Sequence, residues 1–176
     1  MEGLYLREMT LGDKNAIIDY LKEFTMQASV VNGLSGESSC ETFEELYEKH
    51  QKNKEIVFQG YGQDGRTPST TYLLVRKEDE RIIGSFNIRH YLTRKLDDNF
   101  SGHIGYGIRP SERKKGYATK GLQLALDKCR EMGMKSVRLG CYTYNTGSRK
   151  TIVKNGGKLI GHKEVLKPED YFEIEL

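Results

Sequence analysis

Cysteine is scarce in this sequence, tryptophan is absent, and long apolar runs are missing altogether. The three cysteines, Cys40, Cys129 and Cys141, are odd in number and stand far apart. No C-x-x-C spacing joins any of them, which argues against a disulfide framework, a thiolate metal site or a dithiol redox centre. No stretch reaches the roughly 20 apolar residues that a membrane helix needs. The chain opens Met1-Glu2-Gly3-Leu4-Tyr5, with a charge where a secretory signal needs an apolar run, so a cytoplasmic protein with no membrane partner is expected. Neither G-x-x-x-x-G-K-[ST] nor G-x-G-x-x-G occurs, which excludes a Walker loop and a dinucleotide fingerprint. An excess of one charge is lacking too: 28 Lys and Arg face 25 Asp and Glu, and a net charge of +3 is too small and too evenly spread to argue for nucleic acid.

What is present fits a single domain over residues 1–176, long enough to bury roughly 70% of the surface its unfolded chain exposes. Only 36% of residues are hydrophobic and 30% are charged, so eleven tyrosines and six phenylalanines must enlarge the core. Leu4 to Arg7 reads as a first strand. Thr10-x-x-Asp13 reads as the cap pair of a helix whose buried face is Ile17, Leu21 and Phe24. After a soft stretch from Asn32 to Ser39, Thr42-x-x-Glu45 caps a second helix with Phe43, Leu46 and Tyr47 inward. Glu37, Glu41, Glu44, Glu45 and Glu48 form a solvated face of that region. Ile56 to Ser69 reads as loop, and Tyr72 to Val75 with Ile82 to Ile88 as a hairpin across Lys77 to Arg81. Residues 93–102 read as loop and His103 to Ile108 as a strand, in which Gly105 and Gly107 predict a bulge or a ligand lying against the backbone. Later, Val137 to Tyr142 alternates as a half-buried strand, and Asn145-Thr146-Gly147-Ser148 starts a helix that stops at Asn155-Gly156-Gly157. Leu159 and Ile160 open another strand, Pro168-Glu169-Asp170 makes a turn, and Phe172, Ile174 and Leu176 alternate in a last strand.

The stretch with chemical content is Arg109-Pro110-Ser111-Glu112-Arg113-Lys114-Lys115-Gly116-Tyr117-Ala118-Thr119-Lys120. It joins the strand ending at Ile108 to a helix whose apolar face is Ala118, Leu122, Ala125, Leu126, Cys129 and Met132. The first amide groups of such a helix have no partner within it and carry partial positive charge. Three cations, Arg113, Lys114 and Lys115, stand ahead of them, and Gly116 lets a ligand approach the backbone without meeting a side chain. The combination predicts a phosphate or pyrophosphate site.

The order Arg113-x-x-Gly116-x-Ala118 between a strand and a helix resembles the coenzyme A pyrophosphate loop of the GNAT acyltransferase superfamily. The segment Asn145-x-x-Ser148 with Asn155-Gly156-Gly157, and the element order β-α-α-β-β-β-α-β-α-β-β, resemble that superfamily along essentially the whole chain. The resemblance implies an α/β fold with a mixed, mostly antiparallel sheet of about seven strands flanked by about four helices. It also implies an N-acetyltransferase using acetyl-CoA and no metal, in which an acceptor amine attacks the thioester directly. Ile108 would offer backbone groups to pantetheine in an opening between two splayed strands. Arg113, Lys114, Lys115, Gly116, Tyr117, Ala118 and Thr119 would hold the pyrophosphate, and Asn145 with Ser148 would contact the pantetheine arm. Asn145 and Ser148 also read as helix-capping residues. The first two helices would border the pocket of a small-molecule or peptide amine; a homodimer is compatible with the sequence.

One position departs from the family pattern. Where many members carry a tyrosine seven residues after the asparagine, to protonate the departing thiolate, this chain has Ile152. Tyr142, Tyr144 or water are substitutes, and His103, His90 and Glu112 are conceivable bases, although an unpaired histidine on a strand is more often structural. Cys141 alternates into the core and is not a nucleophile candidate. Two rivals stand beside the enzyme: a GNAT-like module that senses coenzyme A without turnover, and an RNA-binding domain built on Arg113-Lys114-Lys115, for which the basic cluster is short.

Overall fold

A computed structural model describes residues 3–34, 37–62, 66–164 and 166–176 of the chain. Ser35 and Gly36 of the soft stretch and residues 63–65 of the expected loop lie outside the described residues, as do Met1 and Glu2. The described elements are β1 (Leu4–Glu8), α1 (Lys14–Met26), α2 (Phe43–Lys54), β2 (Ser69–Arg76), β3 (Arg81–Arg89), α3 (Arg94–Asp98), β4 (Ile104–Ile108), α4 (Tyr117–Glu131), β5 (Ser136–Tyr142), α5 (Thr146–Lys154), β6 (Lys158–Lys163) and β7 (Glu169–Glu175). The seven strands fall into two antiparallel ladders, β1-β2-β3-β4 and β5-β7-β6.

Both cap signals operate. The backbone N–H of Thr10 donates to the Asp13 carboxylate at 2.7 Å, and Glu45 N–H donates to Thr42 Oγ1 at 3.2 Å while Glu41 N–H donates to Glu45 Oε2 at 2.8 Å. The first ladder is covered on both faces. On one lie α1 and α2, with Ile17, Tyr20, Phe24, Phe43 and Leu46 against Leu73, Val75 and Ile82. On the other lies α4, with Leu122, Ala125, Leu126 and Cys129 against Leu74, Phe86, Ile88 and Ile104. Full burial of a single leucine is worth about 1.5–3 kcal/mol, so the four apolar positions of α4 suffice to fix the helix on the sheet.

Several expectations shift. Residues 94–98 of the expected loop form α3, because Thr93 Oγ1 accepts from Leu96 N–H and caps a turn. Met132 leaves the buried face, since the helix ends at Glu131 and its side chain is 38% exposed. Tyr20 is fully buried where Leu21 is only partly so. Glu169 and Asp170 belong to β7 rather than to a turn. Leu159 and Ile160 are exposed because β6 is an edge strand.

The strand β4 pairs with β3 in regular register and carries no bulge. A Cβ at Gly107 would lie 2.5 Å from the Asn32 carbonyl oxygen, so this glycine admits the chain segment after α1. Gly105 faces open space.

Candidate functional site

No hydrogen-bonded ladder joins β4 to β5. Just before β4 the backbones are joined by hydrogen bonds, His103 N–H donating to the Arg138 carbonyl at 2.6 Å and Arg138 N–H to His103 Nδ1 at 2.9 Å. The register decides what the free edge presents. Arg109 N–H donates to the Ile83 carbonyl, so Arg109, Gly107 and Gly105 turn their peptide groups to β3. Tyr106 and Ile108, out of phase with them, turn theirs to the open side.

The polypeptide leaves Ile108 for the basic turn and enters α4 through Gly116, whose φ of 82° is left-handed, as is that of Lys114 at 62°. An L side chain at such a position costs roughly 1–2 kcal/mol, which glycine avoids. The turn, the first residues of α4, the β4 edge and the first turn of α5 surround one cleft of about 830 Å³. Ile108, Arg113, Lys114, Gly116, Tyr117, Ala118, Thr119, Asn145 and Ser148 all line it. Lys115 does not. Its ammonium donates to Glu112 at 2.8 Å, so the residue braces the turn through a side chain that lines the cleft. Arg113 is also partly structural: Nε donates to the Ile108 carbonyl at 3.1 Å and NH2 to Ser29 Oγ at 2.8 Å. Of the Ile108 peptide groups the N–H therefore remains for a ligand, the carbonyl being taken.

Beside the turn lies an ion cluster centred on the buried Arg109. The guanidinium of Arg109, 1% exposed, donates to Glu23 at 2.7 Å, to Asp19 at 2.9 Å and through Nε to the Ile82 carbonyl at 2.7 Å. Glu23 also accepts from Ser111 N–H at 3.2 Å and from Arg81 at 3.0 Å. Burial alone would favour the neutral acid, but the hydrogen bonds from Arg109 and Ser111 outweigh it and lower the Glu23 pKa from 4.5 to about 2. A group whose folded pKa lies below its unfolded value adds stability above the latter and loses it as pH falls through the former. The melting midpoint should therefore drop as pH falls from about 4.5 to about 2. Glu23→Gln should flatten that acid limb in a series of melts; a variant with the parent's pH profile would show that Glu23 does not drive it.

The conceivable bases are all held by other groups, Glu112 in the cleft lining and the two histidines outside it. Glu112, buried, is held by Lys115, Arg76 and Arg81. Burial pushes its pKa up, the Lys115 hydrogen bond and the two arginines push it further down, and the net shift is downward. His103 is lowered to about 4, chiefly by burial, and its Nδ1 is occupied by Arg138. His90 bonds Thr70 Oγ1 at 2.9 Å. Neither histidine lines the cleft. Burial pushes the Cys141 thiol up, in keeping with a core cysteine. Tyr142 and Tyr144 stack on one another at 5.1 Å outside the cleft lining, 37% and 65% exposed. Ile152 is fully buried.

Sequence reasoning passed over Tyr106, whose hydroxyl lies 2.8 Å from Ser148 Oγ in the cleft wall. Desolvation raises the Tyr106 pKa to about 12, against the hydrogen bond from Ser148, so the phenol keeps its proton at neutral pH. Ser29, Val30, Asn32, Lys150, Thr151 and Lys154 are further lining residues that it missed. Only Lys150 and Lys154 carried a signal, the i, i+4 spacing that places them on one helix face. Among the described residues no group of three or more His, Cys, Asp or Glu side chains is arranged to hold a metal ion, and no helix is long and apolar enough to cross a membrane.

A sheet opened between two strands, with a glycine turn and a helix N-terminus at the mouth of the opening, is the arrangement of an acyl-coenzyme A transferase fold. The chain belongs to the acetyltransferase (GNAT) domain family, whose sequence model matches residues 3–158. No curated protein matches it. Among solved structures it is similar to the ribosomal-protein alpha-N-acetyltransferase RimL in complex with coenzyme A, at 16% identity and a TM-score of 0.69, covering 100% of this chain and 96% of that one. It is also similar to the dodecameric spermidine N-acetyltransferase of Vibrio cholerae (16%, 0.67, 99% and 95%) and to a GNAT acetyltransferase of Bacillus anthracis (19%, 0.64, 99% and 95%).

Proposed function

We propose that the chain is an acetyl-CoA-dependent N-acetyltransferase that brings an acceptor amine directly to the thioester. The observation that carries this reading is that one cleft gathers the basic turn, the left-handed Gly116, the α4 N-terminus, the outward peptide groups of β4 and the first turn of α5. Those parts fit the coenzyme: the amides and Lys114 suit a pyrophosphate, the Ile108 N–H suits an amide-bearing arm, and about 830 Å³ admits a ligand of this size. When bound, acetyl-CoA supplies an activated acyl group. The Tyr106 N–H, one pleat further along β4 from the Ile108 N–H, can then donate to the acyl oxygen, where negative charge develops during attack. Asn145 both caps α5, accepting from Ser148 N–H at 3.0 Å, and lines the cleft beside the arm.

Proton supply falls to Ser148. Its Oγ stands in the wall with the protonated Tyr106 hydroxyl at 2.8 Å, so a proton given up at Ser148 Oγ to the departing thiolate can be replaced from Tyr106, which regains one from the proton that the attacking amine loses. This pair supplies the cleft hydroxyls that Ile152, buried in the core, does not. The acceptor is an amine on a protein or a small molecule, the two kinds that the RimL and spermidine enzymes use. The test is release of free thiol from acetyl-CoA against a panel of peptide N-termini, polyamines and amino acids. Turnover with one class supports the reading, whereas coenzyme binding without thiol release from any amine favours a sensing module. For an accepted amine, Ser148→Ala should lower kcat about 10²-fold or more with KM for acetyl-CoA little changed, and Tyr106→Phe should lower it less. Unchanged kcat in both variants would overturn the proton-donor assignment.

A further inference from the structure

The cleft has two cationic walls, and only one of them is accounted for by the basic turn. Along the other runs α5, with Asn145 and Ser148 at its start and Lys150 and Lys154 farther on, all four lining the cleft. The direction of the helix is fixed by its far end, where Asn155 Nδ2 donates to the Thr119 carbonyl at 3.2 Å, bringing the end of α5 beside the first turn of α4. Moving along α5 from Asn145 to Lys154 is therefore moving from the β4 edge towards the basic turn. Lys150 and Lys154 are i, i+4 neighbours, both exposed, and among the described residues neither has an ion-pair or side-chain hydrogen-bond partner. This sets them apart from Lys115, tied to Glu112, and Lys120, tied to Gln123.

Coenzyme A carries two separate anionic groups, the pyrophosphate and the 3′-phosphate of the ribose. The backbone amides around Gly116 suit the first, and the pair on the opposite wall has no carboxylate to neutralise it. We propose that Lys150 and Lys154 form a subsite for the 3′-phosphate of coenzyme A, and so make the protein discriminate coenzyme A from 3′-dephospho-coenzyme A. The inference rests on the coenzyme reading given above. Two ammonium groups converging on a dianion make charge-assisted bonds, which a surface lysine gains without any change in the fold.

The experiment is titration calorimetry of the full chain and of Lys150→Gln/Lys154→Gln with coenzyme A and with 3′-dephospho-coenzyme A, at fixed ionic strength. The unaltered protein should bind coenzyme A about tenfold or more tightly than the dephospho form. In the double variant that ratio should collapse towards one, with affinity for the dephospho form unchanged. A ratio near one in the unaltered protein, or a ratio that survives the double substitution, would overturn the subsite. Equal weakening of both nucleotides would also overturn it, by assigning the lysines to the pyrophosphate. Failure of the unaltered protein to bind either nucleotide would overturn the coenzyme reading itself, an outcome distinct from the others.

Discussion

Gly116→Glu should reduce coenzyme A affinity by at least about 100-fold while leaving a folded protein. At ~100-fold the loss is near 2.7 kcal/mol, and the substitution acts in two ways that each approach this. A carboxylate enters the cleft at the mouth of α4, where the partial positive charge of the helix end and Lys114 otherwise meet an anion. Its bulk also covers amides that a ligand must reach, since Gly116 is the residue immediately preceding Tyr117 at the start of the helix. The fold pays little, because the left-handed φ of 82° costs an L residue only about 1–2 kcal/mol. Gly116→Asn is the control: asparagine tolerates this φ and adds no charge, so its loss of affinity should be smaller than that of the glutamate variant. Calorimetric titration with coenzyme A, alongside a thermal melt without it, separates the two effects. Affinity retained in the glutamate variant would remove the turn from the binding site.

Arg109→Ala should have the largest effect on stability, roughly 3–5 kcal/mol, as expected for breaking a buried ion pair from one side. The substitution leaves Glu23 without its closest cation, deprives Asp19 of a partner and strands the Ile82 carbonyl in the sheet. It also removes the guanidinium packed over the Tyr20 ring at 5.4 Å. For a chain of this size each kcal/mol lowers the melting midpoint by roughly 2–4 °C, so a fall of about 6–20 °C is expected. Arg109→Lys keeps the charge but not the planar fork that reaches a carbonyl and two carboxylates at once, and should fall between the parent and the alanine variant. Because Glu23 also holds Ser111 N–H at the head of the basic turn, the alanine variant should bind coenzyme A more weakly even below its melting point. A midpoint within a degree or two of the parent's would mean that the cluster relaxes into solvent and does not brace the turn.

Much of this protein was legible in the residues because the relevant forces are local. The cap pairs at Thr10 and Thr42, the apolar spacing from Leu122 to Cys129, the alternation in β5 and β7 and the glycine at the head of α4 each follow from short-range hydrogen bonding, side-chain period or backbone sterics. The glycine and cations ahead of the α4 N-terminus are likewise read without reference to any other part of the chain, and they carry the proposal of an anion site. Tertiary structure decided what each of those residues is free to do. Lys115 and Arg113 look equivalent to Lys114 in sequence, yet Glu112 takes one and Ser29 with the Ile108 carbonyl takes the other. Gly107 serves the close approach of Asn32, residues that lie 75 positions apart. Tyr106 meets Ser148 across the opening between β4 and α5, and Lys150 and Lys154 face the cleft because Asn155 fastens the end of α5 to α4. Spacing along a helix or strand carries no information about such pairs: which charges are neutralised, and which hydroxyls share a proton, depends on contacts between residues far apart in the chain, and those exist only once the sheet has folded and opened.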